Sequence, residues 1–331
     1  MTSNALAPAA LSTHEPHEAA DAIRPYLHRY TSPAKLGIKV NLYRDIEVEG
    51  LAQALRAPDL ADCPVECLMV GDSYFMTHLG RPGTAMRDDQ ERAWALEVML
   101  GLVAEVHASM GASLPRARRP FLLADLPDGA ADTIAGAASA AERFMAAGAD
   151  AVKIEAVGPE SLYCAEAVAK LDIPTVVHLG YTPQRGDLTR RGNTIDDAAA
   201  LFAEARRARD AGACGLVLEM VSEPVNAALS RPGPGSLPVY SVFSGRAEYG
   251  GYSLNVWDAV VRSAVPRQLF PPTPVIDVAQ VPERYTPDLL ADRLGELLRM
   301  TVAGDFPRHL KNRMSPDDQQ VLADTDPWSQ S

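Results

Sequence analysis

Cysteine is scarce in this 331-residue chain, which contains only Cys63, Cys67, Cys164 and Cys214. Thiols this few and this scattered argue against a disulfide scaffold. No uninterrupted apolar run reaches the length of a membrane span, and the N-terminus lacks the basic-then-apolar order of a signal peptide. We therefore expect a cytoplasmic protein that has no membrane partner.

An excess of basic residues is also missing, because 31 Lys and Arg residues oppose 43 Asp and Glu residues and leave a formal charge of −12. An acidic chain repels phosphate backbones, so we expect no nucleic-acid partner. The arginine runs at 116–119 and 206–209 are interpreted as solvated surface. No Gly-x-Gly-x-x-Gly follows the first apolar strand and no Walker sequence occurs, which disfavours a nucleotide-binding sheet.

What the chain does contain is a regular alternation of strand and helix patterns between residues 36 and 307. Alternation at this spacing predicts parallel strands joined by helical crossovers. Eight such units favour a closed (β/α)8 TIM barrel over an open doubly wound sheet. The prediction is a single catalytic barrel over 36–307, with a flexible N-terminal arm at 1–35, a polar, peripheral C-terminal tail at 308–331 and a weak eighth strand at 253–256.

Polar and charged residues stand at the ends of the predicted strands. In such a barrel, residues at the carboxyl ends of the strands converge on one pocket. Each has an alternative explanation when taken singly, such as a turn former, a core histidine or a structural Lys–Glu pair. Their repetition on successive strands favours a site, and its candidate members are Asp72, Ser73, Asp125, Lys153, Glu155, His178 and Glu219.

Four carboxylates in one pocket repel one another and need a cation. Carboxylate ligands without cysteine suit a hard ion, Mg2+ first. With Lys153 and His178 nearby, such a site suits an α-keto acid and the stabilisation of its enolate. Glu219 is then the carboxylate left over to act as a base.

The same residues carry a family resemblance. The chain resembles ketopantoate hydroxymethyltransferase, a (β/α)8 family of the phosphoenolpyruvate mutase/isocitrate lyase superfamily, from about Lys39 to Pro307. The matching pieces, in order, are Tyr43 at the end of the first strand, Val70-Gly-Asp-Ser73, Ala124-Asp-Leu-Pro127, Ala151-Val-Lys-Ile-Glu155, His178-Leu-Gly-Tyr-Thr-Pro-Gln184 and Val217-Leu-Glu219.

The resemblance implies that Asp72, Asp125 and Glu155 surround Mg2+, directly or through water. It further implies that Ser73, Lys153 and His178 hold the keto acid and that Glu219 removes the C3 proton. The carbon nucleophile would then attack the one-carbon unit of 5,10-methylenetetrahydrofolate. Members of the family are homo-oligomers, often decamers, and the family acts in pantothenate biosynthesis.

The chain departs from the family pattern at the barrel mouth. Ala156-Val157 stands in place of two glycines, and Tyr240-Ser-Val-Phe-Ser-Gly245 in place of a glycine-rich run. Tyr74 and Phe75 replace a small pair, and together with Tyr43 they are predicted to line the pocket. Bulkier lining predicts a different keto acid more than a different reaction. The alternatives are a C–C lyase or other enolate chemistry without folate, and a barrel that binds a keto acid without turnover.

Overall fold

Eight short strands, each parallel to the next, close into a barrel in which β8 pairs back with β1. The computed structural model describes residues 37–185, 190–245, 247–255, 286–304 and 314–329. The predicted (β/α)8 fold is confirmed. In chain order the strands are β1 (Ile38–Asn41), β2 (Val65–Val70), β3 (Phe121–Asp125), β4 (Ala151–Glu155), β5 (Thr175–Gly180), β6 (Gly215–Glu219), β7 (Val239–Val242) and β8 (Gly251–Asn255).

Helices cover the outside of the barrel, and several begin at the residue types that favour a helix start. Asp88 accepts a hydrogen bond from the Glu91 amide, and Thr133 and Thr194 cap their helices in the same way. The described helices are α1 (Asp45–Ala54), α2 (Tyr74–Thr77), α3 (Asp89–Ser113), α4 (Ile134–Ala146), α5 (Pro159–Ala169), α6 (Ile195–Asp210), α7 (Glu223–Leu229), α8 (Pro287–Val302) and α9 (Pro316–Asp324).

The strands are buried on both faces, so two apolar layers hold the barrel together. Outward-facing residues such as Leu68 and Val152 belong to the large core beneath the helices. Inward-facing residues form a second cluster inside the barrel, composed of Cys67, Met69, Phe121, Leu123, Ala151, Val176, Val217 and Tyr240. Because side chains alternate along a strand, the residues that continue these inward rows toward the carboxyl ends are Asp125, Lys153, His178 and Glu219. The apolar plug therefore forms the floor of a polar mouth.

Among the described residues, α3 is the helix that is long and apolar enough to cross a membrane, judged by length and composition alone. Glu97 and Glu105 interrupt its sequence, and its buried residues face the barrel: Ala95, Met99, Leu102, Val103, Val106 and Met110. The core helix of a barrel passes the same test, so this single helix is weak evidence for a membrane.

The predicted polar tail is not peripheral over the part that the structure describes. Met314, Leu322 and Trp328 are buried in the main core. Arg206 and Arg209 of α6 donate hydrogen bonds to the carbonyls of Pro327 and Trp328 at 2.9 Å each, so this arginine run is not merely solvated surface. The prediction rested on the polar composition of the segment and missed three widely spaced apolar residues that pack into the core. The predicted N-terminal arm at 1–35 lies outside the described residues.

Element boundaries differ from the sequence prediction at the barrel mouth. The first strand ends at Asn41 instead of Tyr43, and β8 spans Gly251–Asn255 instead of 253–256. Gly251 comes so close to the Gly37 carbonyl and the Tyr240 ring that an added Cβ would lie 2.6 Å and 2.7 Å from them. A glycine is therefore part of the strand here, where sequence patterns suggest a turn.

Candidate active site

All seven predicted strand-end groups line one cavity of about 150 Å3 at the carboxyl end of the barrel. Asp72 and Ser73 follow β2, Asp125 ends β3, and Lys153 and Glu155 come from β4. His178 lies on β5, and Glu219 ends β6, which is opposite β2 in the closed barrel. The cavity has room for a small organic acid. That all seven residues line it is consistent with the prediction that they share one pocket.

Three side chains on neighbouring strands form a continuous polar chain. Lys153 Nζ lies 2.9 Å from Asp125 Oδ1 and 3.2 Å from His178 Nδ1. Adjacent parallel strands bring these groups together, since Asp125 pairs with Lys153 across β3 and β4 and Glu155 pairs with His178 across β4 and β5. Asp125 Oδ2 also accepts a hydrogen bond from the Asp72 amide at 3.2 Å.

The imidazole of His178 is neutral. Burial and the charges of two lysines, Lys153 and Lys39, hold its pKa well below the usual range. The Lys153 ammonium can only donate, so we assign Nδ1 as the acceptor and Nε2 as the protonated nitrogen. Among the described residues no acceptor is in hydrogen-bonding geometry with Nε2, and Glu219 Oε2 lies 3.4 Å away. An N–H donor is therefore available at the cavity wall beside Glu219.

Burial dominates the titration of the acidic groups. It raises the pKa of Asp72 to about 8, with the nearby Asp125 charge adding to the effect. It raises the pKa of Glu219 to about 7, although Lys153 opposes the shift, and it raises the pKa of Glu155 well above the usual range. Burial opposes the charge on Lys153, but Asp125, Asp72 and Glu155 outweigh it and raise the pKa of the ammonium. Perturbation on this scale is characteristic of functional sites.

The cavity would carry more negative than positive charge if all its carboxylates were ionised, which is why burial without a cation favours their protonated forms. Four carboxylates, Asp72, Asp125, Glu155 and Glu219, face two ammonium groups, Lys39 and Lys153, so ionisation of all four leaves two negative charges uncompensated. Asp125 Oδ1 is buried and has no well-aligned hydrogen-bond donor among the described residues, although Lys153 lies close to it. A divalent cation fits this donor set of carboxylate oxygens.

The described residues do not supply a complete set of metal ligands by themselves. Within the described ranges, no three acidic, histidine or cysteine side chains form a metal-binding group. Mg2+ usually retains several waters and binds through one or two carboxylates together with substrate oxygens. The arrangement fits such an open site at Asp72 and Asp125, with Glu155 acting through water.

Gln184 is a site residue that the sequence prediction did not select. Its side-chain amide donates to Asp72 Oδ2 at 2.8 Å and to the Leu126 carbonyl at 2.9 Å, and its backbone amide donates to Glu155 Oε1 at 2.9 Å. It therefore fixes two of the carboxylates from the loop after β5. The sequence contained a signal for this residue, because Gln184 is the last residue of the His178-Leu-Gly-Tyr-Thr-Pro-Gln184 motif.

Gly180 allows this loop to form. Its φ of 103° lies in the left-handed region, and an added Cβ would lie 2.3 Å from the Glu219 carbonyl oxygen. Only glycine combines this conformation with such a close backbone approach. The loop can then turn back over the cavity and carry Gln184 to Asp72.

Lys39 is a second residue that the prediction missed. It is fully buried and lines the same cavity from β1, where its side chain donates to Asn41 Oδ1 at 2.5 Å. Lys39 and Asn41 are two residues apart and share the inward face of the strand. A lysine in a short apolar strand was the available signal.

The three aromatic residues predicted to line the pocket do not contact the cavity, and this expectation is corrected. Phe75 is fully buried in the main core and packs against Trp94, with ring centroids 5.3 Å apart. Tyr74 stacks on His78 at 5.0 Å. Tyr43 does not line the cavity but contacts a residue that does, because its hydroxyl lies 2.8 Å from Ser73 Oγ. The short helix α2 directs the rings of Tyr74 and Phe75 away from the cavity. The period-two pattern of a strand could not reveal this helix.

Of the two other departures at the mouth, Tyr240–Gly245, at the end of β7 and in the turn after it, is the one that reaches this cavity. Val242 and Phe243 line it, whereas Ala156 and Val157 line a separate pocket. Phe243 has a φ of 49°, a left-handed conformation that is uncommon for a bulky residue and that clusters at functional sites. The strand-seven departure is therefore the one with a direct effect on the cavity.

The fold and the site together define a (β/α)8 barrel with a buried acid–base cluster at the carboxyl ends of its strands. The sequence profile of the ketopantoate hydroxymethyltransferase family matches residues 52–250. The chain belongs to this family.

Individual relatives agree with this assignment. The 3-methyl-2-oxobutanoate hydroxymethyltransferase of Aeropyrum pernix is 33% identical over 187 residues, which are 55% of this chain and 62% of that protein. The enzyme of the same name from Verminephrobacter eiseniae is 37% identical over 186 residues, or 54% of this chain and 57% of that protein. The matched segment thus spans less than two thirds of these relatives.

Solved structures share the fold at low sequence identity. A Burkholderia cenocepacia protein described as a phosphonomutase superposes with a TM-score of 0.52 at 17% identity, covering 76% of this chain and 97% of that one. Phosphoenolpyruvate phosphomutase from Streptomyces platensis gives a TM-score of 0.50 at 14% identity, with 86% and 95% coverage. At this identity the likeness concerns the fold only.

Proposed function

We propose that this protein is a magnesium-dependent hydroxymethyltransferase. It would transfer a one-carbon unit from 5,10-methylenetetrahydrofolate to C3 of an α-keto acid, 3-methyl-2-oxobutanoate or a related acid. The observation that carries the proposal is the Glu219 carboxylate, which lies across the cavity from Asp72, is only 12% exposed and has a pKa raised to about 7. A carboxylate with a pKa near the working pH is well matched to general-base catalysis.

The residues divide into a binding wall and a base. Ser73, Lys153 and the free Nε2–H of His178 would hold the carboxylate and keto oxygens of the acid. Asp72 and Asp125 would hold the magnesium ion, with Glu155 acting through water and Gln184 fixing the orientation of Asp72. When bound, Mg2+ would supply positive charge beside the keto acid and so increase the acidity of the C3 proton.

Glu219 would then accept the C3 proton from the opposite wall. The electron pair of the broken C3–H bond would attack the one-carbon unit, so that a C–C bond forms at C3 while the two C–N bonds that join this carbon to the folate break. One water supplies the hydroxyl of the product, and its remaining proton and the C3 proton go to the two folate nitrogens. The neutral imidazole of His178 can donate to developing negative charge on the keto oxygen without losing its own proton, which is the role of a preorganised donor. Burial keeps bulk water away from both groups and strengthens these interactions.

The proposal is tested by deuterium exchange at C3 of 3-methyl-2-oxobutanoate in D2O, followed by NMR with and without Mg2+ and tetrahydrofolate. We expect exchange that requires Mg2+ and is lost in Glu219→Gln, whereas the exposed Glu142→Gln control exchanges normally. Supply of 5,10-methylenetetrahydrofolate should then give the hydroxymethylated acid by mass spectrometry.

Other results would change the proposal in defined ways. Exchange with a different acid from a keto-acid panel would retain the chemistry and move the substrate. Cleavage of a keto acid without folate would replace the transferase by a lyase. Absence of exchange with every acid would overturn the proposal. Assembly into a homo-oligomer, as the family resemblance implies, is a further expectation, and light scattering of the purified protein measures the number of subunits.

A further inference from the structure

The mechanism leaves one buried charge unused, the ammonium of Lys39. This side chain has no solvent exposure and lines the cavity from β1. Its Nζ donates to Asn41 Oδ1 at 2.5 Å and contacts Met69 Sδ at 3.4 Å. Among the described residues no carboxylate forms an ion pair with it, in contrast to Lys153, which lies 2.9 Å from Asp125.

A buried ammonium without a direct counter-charge is costly for a protein to maintain. Burial lowers the pKa of Lys39 to about 8, and the charge of Lys153 lowers it further, while Cys67, Asp125 and Glu219 oppose the shift. The group therefore stays largely protonated at neutral pH. An ammonium has three N–H donors, and the amide oxygen and the thioether occupy two of them. The third donor is available to a ligand in the cavity.

The position of Lys39 relative to the reacting carbon indicates which part of a ligand it meets. The groups that would hold the C1 carboxylate and the C2 keto oxygen come from β2 to β5. The base Glu219 stands on β6, and the remaining wall is formed by β7, β8 and β1. If β2 to β5 hold C1 and C2 and Glu219 reaches C3, the substituents on C3 would face this remaining wall.

That remaining wall is only partly apolar. Val242 and Phe243 line it from β7 and the residue after it, whereas Ser253 lines it from β8. Ser253 is the register partner of Lys39, and its hydroxyl lies 3.5 Å from Asn41 Oδ1. Lys39, Asn41 and Ser253 thus form a polar patch where a branched alkyl substituent would need hydrocarbon neighbours.

We propose that Lys39, supported by Asn41 and Ser253, binds a second carboxylate on the side chain of the α-keto acid. The inference rests on the proposed function. Of the two substrates left open there, it favours the related acid over 3-methyl-2-oxobutanoate, and it assigns that acid to the class of 2-oxo dicarboxylic acids. The second carboxylate supplies the missing counter-charge for the ammonium, and Lys39 becomes the residue that distinguishes this acid from branched apolar 2-oxo acids.

The test compares two ligands that differ only in this group. 2-Oxoglutarate and 2-oxopentanoate have the same chain length, and a terminal carboxylate in the first replaces a methyl group in the second. Isothermal titration calorimetry of the full chain with Mg2+ should give about 10- to 100-fold tighter binding of 2-oxoglutarate, the range expected for one charged hydrogen bond. Lys39→Met should remove most of this preference, Lys39→Arg should retain part of it, and the exposed Lys170→Met control should leave it unchanged.

The outcomes separate this inference from the proposed function. Equal binding of the two acids, or tighter binding of 2-oxopentanoate, by the wild-type protein overturns the inference even if C3 exchange is observed. Preferential binding of 2-oxoglutarate without C3 exchange supports the inference and overturns the reaction. Absence of binding by either acid overturns both. A wild-type preference that persists in Lys39→Met and in Lys39→Arg would assign the second carboxylate to another group and overturn the inference. Lys39→Arg keeps the positive charge, so the test does not depend on whether Lys39→Met folds.

Discussion

The Lys153 ammonium lies 2.9 Å from Asp125 Oδ1, and the two side chains are 4% and 2% exposed. This pair joins β3 to β4 at the centre of the polar mouth. It is a direct ion pair between a cavity lysine and a carboxylate. Because both partners are buried, removal of one leaves the other as an uncompensated charge in a medium of low polarity.

Lys153→Met should therefore lower the free energy of unfolding by about 3–5 kcal/mol. Urea denaturation followed by circular dichroism measures the change. The matched control is Lys170→Met, which breaks an exposed i,i+4 pair with Glu166 and should cost no more than about 0.5 kcal/mol. Equal effects of the two substitutions would show that the buried pair is not formed.

The rate of C3 exchange should follow the ionisation of Glu219. The base acts in its deprotonated form, and its pKa is about 7. The rate should consequently rise about tenfold per pH unit below the pKa and level off above it. Mg2+ favours the ionised carboxylate, so the midpoint measured with the metal should lie at or below 7. Glu219→Gln should reduce the rate about 100- to 10,000-fold. A rate that falls as the pH rises through neutrality would exclude Glu219 as the base.

Stability without a divalent cation should decrease as the pH rises. The pKa of Asp72 is about 8 and that of Glu219 about 7 in the fold, whereas both are near 4 in an unfolded chain. Between about pH 4 and pH 8 the folded state therefore binds more protons than the unfolded state, and the free energy of unfolding falls through that window.

Addition of Mg2+ should offset this loss. We expect the increase in Tm on replacing EDTA by Mg2+ to be larger at pH 8 than at pH 5 by about 3 °C or more. Differential scanning calorimetry at the two pH values measures it. Asp72→Asn removes one of the titrating groups and should reduce both the pH dependence and the gain from Mg2+. A gain that is the same at both pH values would contradict a metal site at these carboxylates.

Trp328 should anchor the C-terminal segment. Its side chain is 3% exposed, and its backbone carbonyl accepts a hydrogen bond from Arg209. Trp328→Ala should cost about 3–5 kcal/mol of unfolding free energy, as for other buried aromatic residues. Val321→Ala, at a residue that is 53% exposed in α9, should have little effect. Similar small effects of both substitutions would indicate that the segment does not pack on the barrel.

The barrel and most of the residues at its mouth could be predicted from the amino-acid sequence. Parallel crossovers follow from the alternation of strands and helices, and a period of two places Lys153 and Glu155 on one face. Since the carboxyl ends of parallel strands meet at one end of a barrel, polar strand-end residues that are far apart in the chain were predicted to share a pocket. These inferences needed only local periodicity and one topological rule.

Several contacts at the site and in the core could not be predicted, because local sequence patterns do not encode them. Gln184 reaches Asp72 because the loop after β5 folds back over the cavity. Phe75 packs into the core because α2 turns at the end of β2, and Trp328 is buried because α6 offers arginine donors to the segment around it. Lys39 lies beside Ser253 in the cavity because the closed barrel brings β1 next to β8. Each of these contacts joins residues distant in sequence, and their geometry depends on side-chain packing that no short pattern specifies.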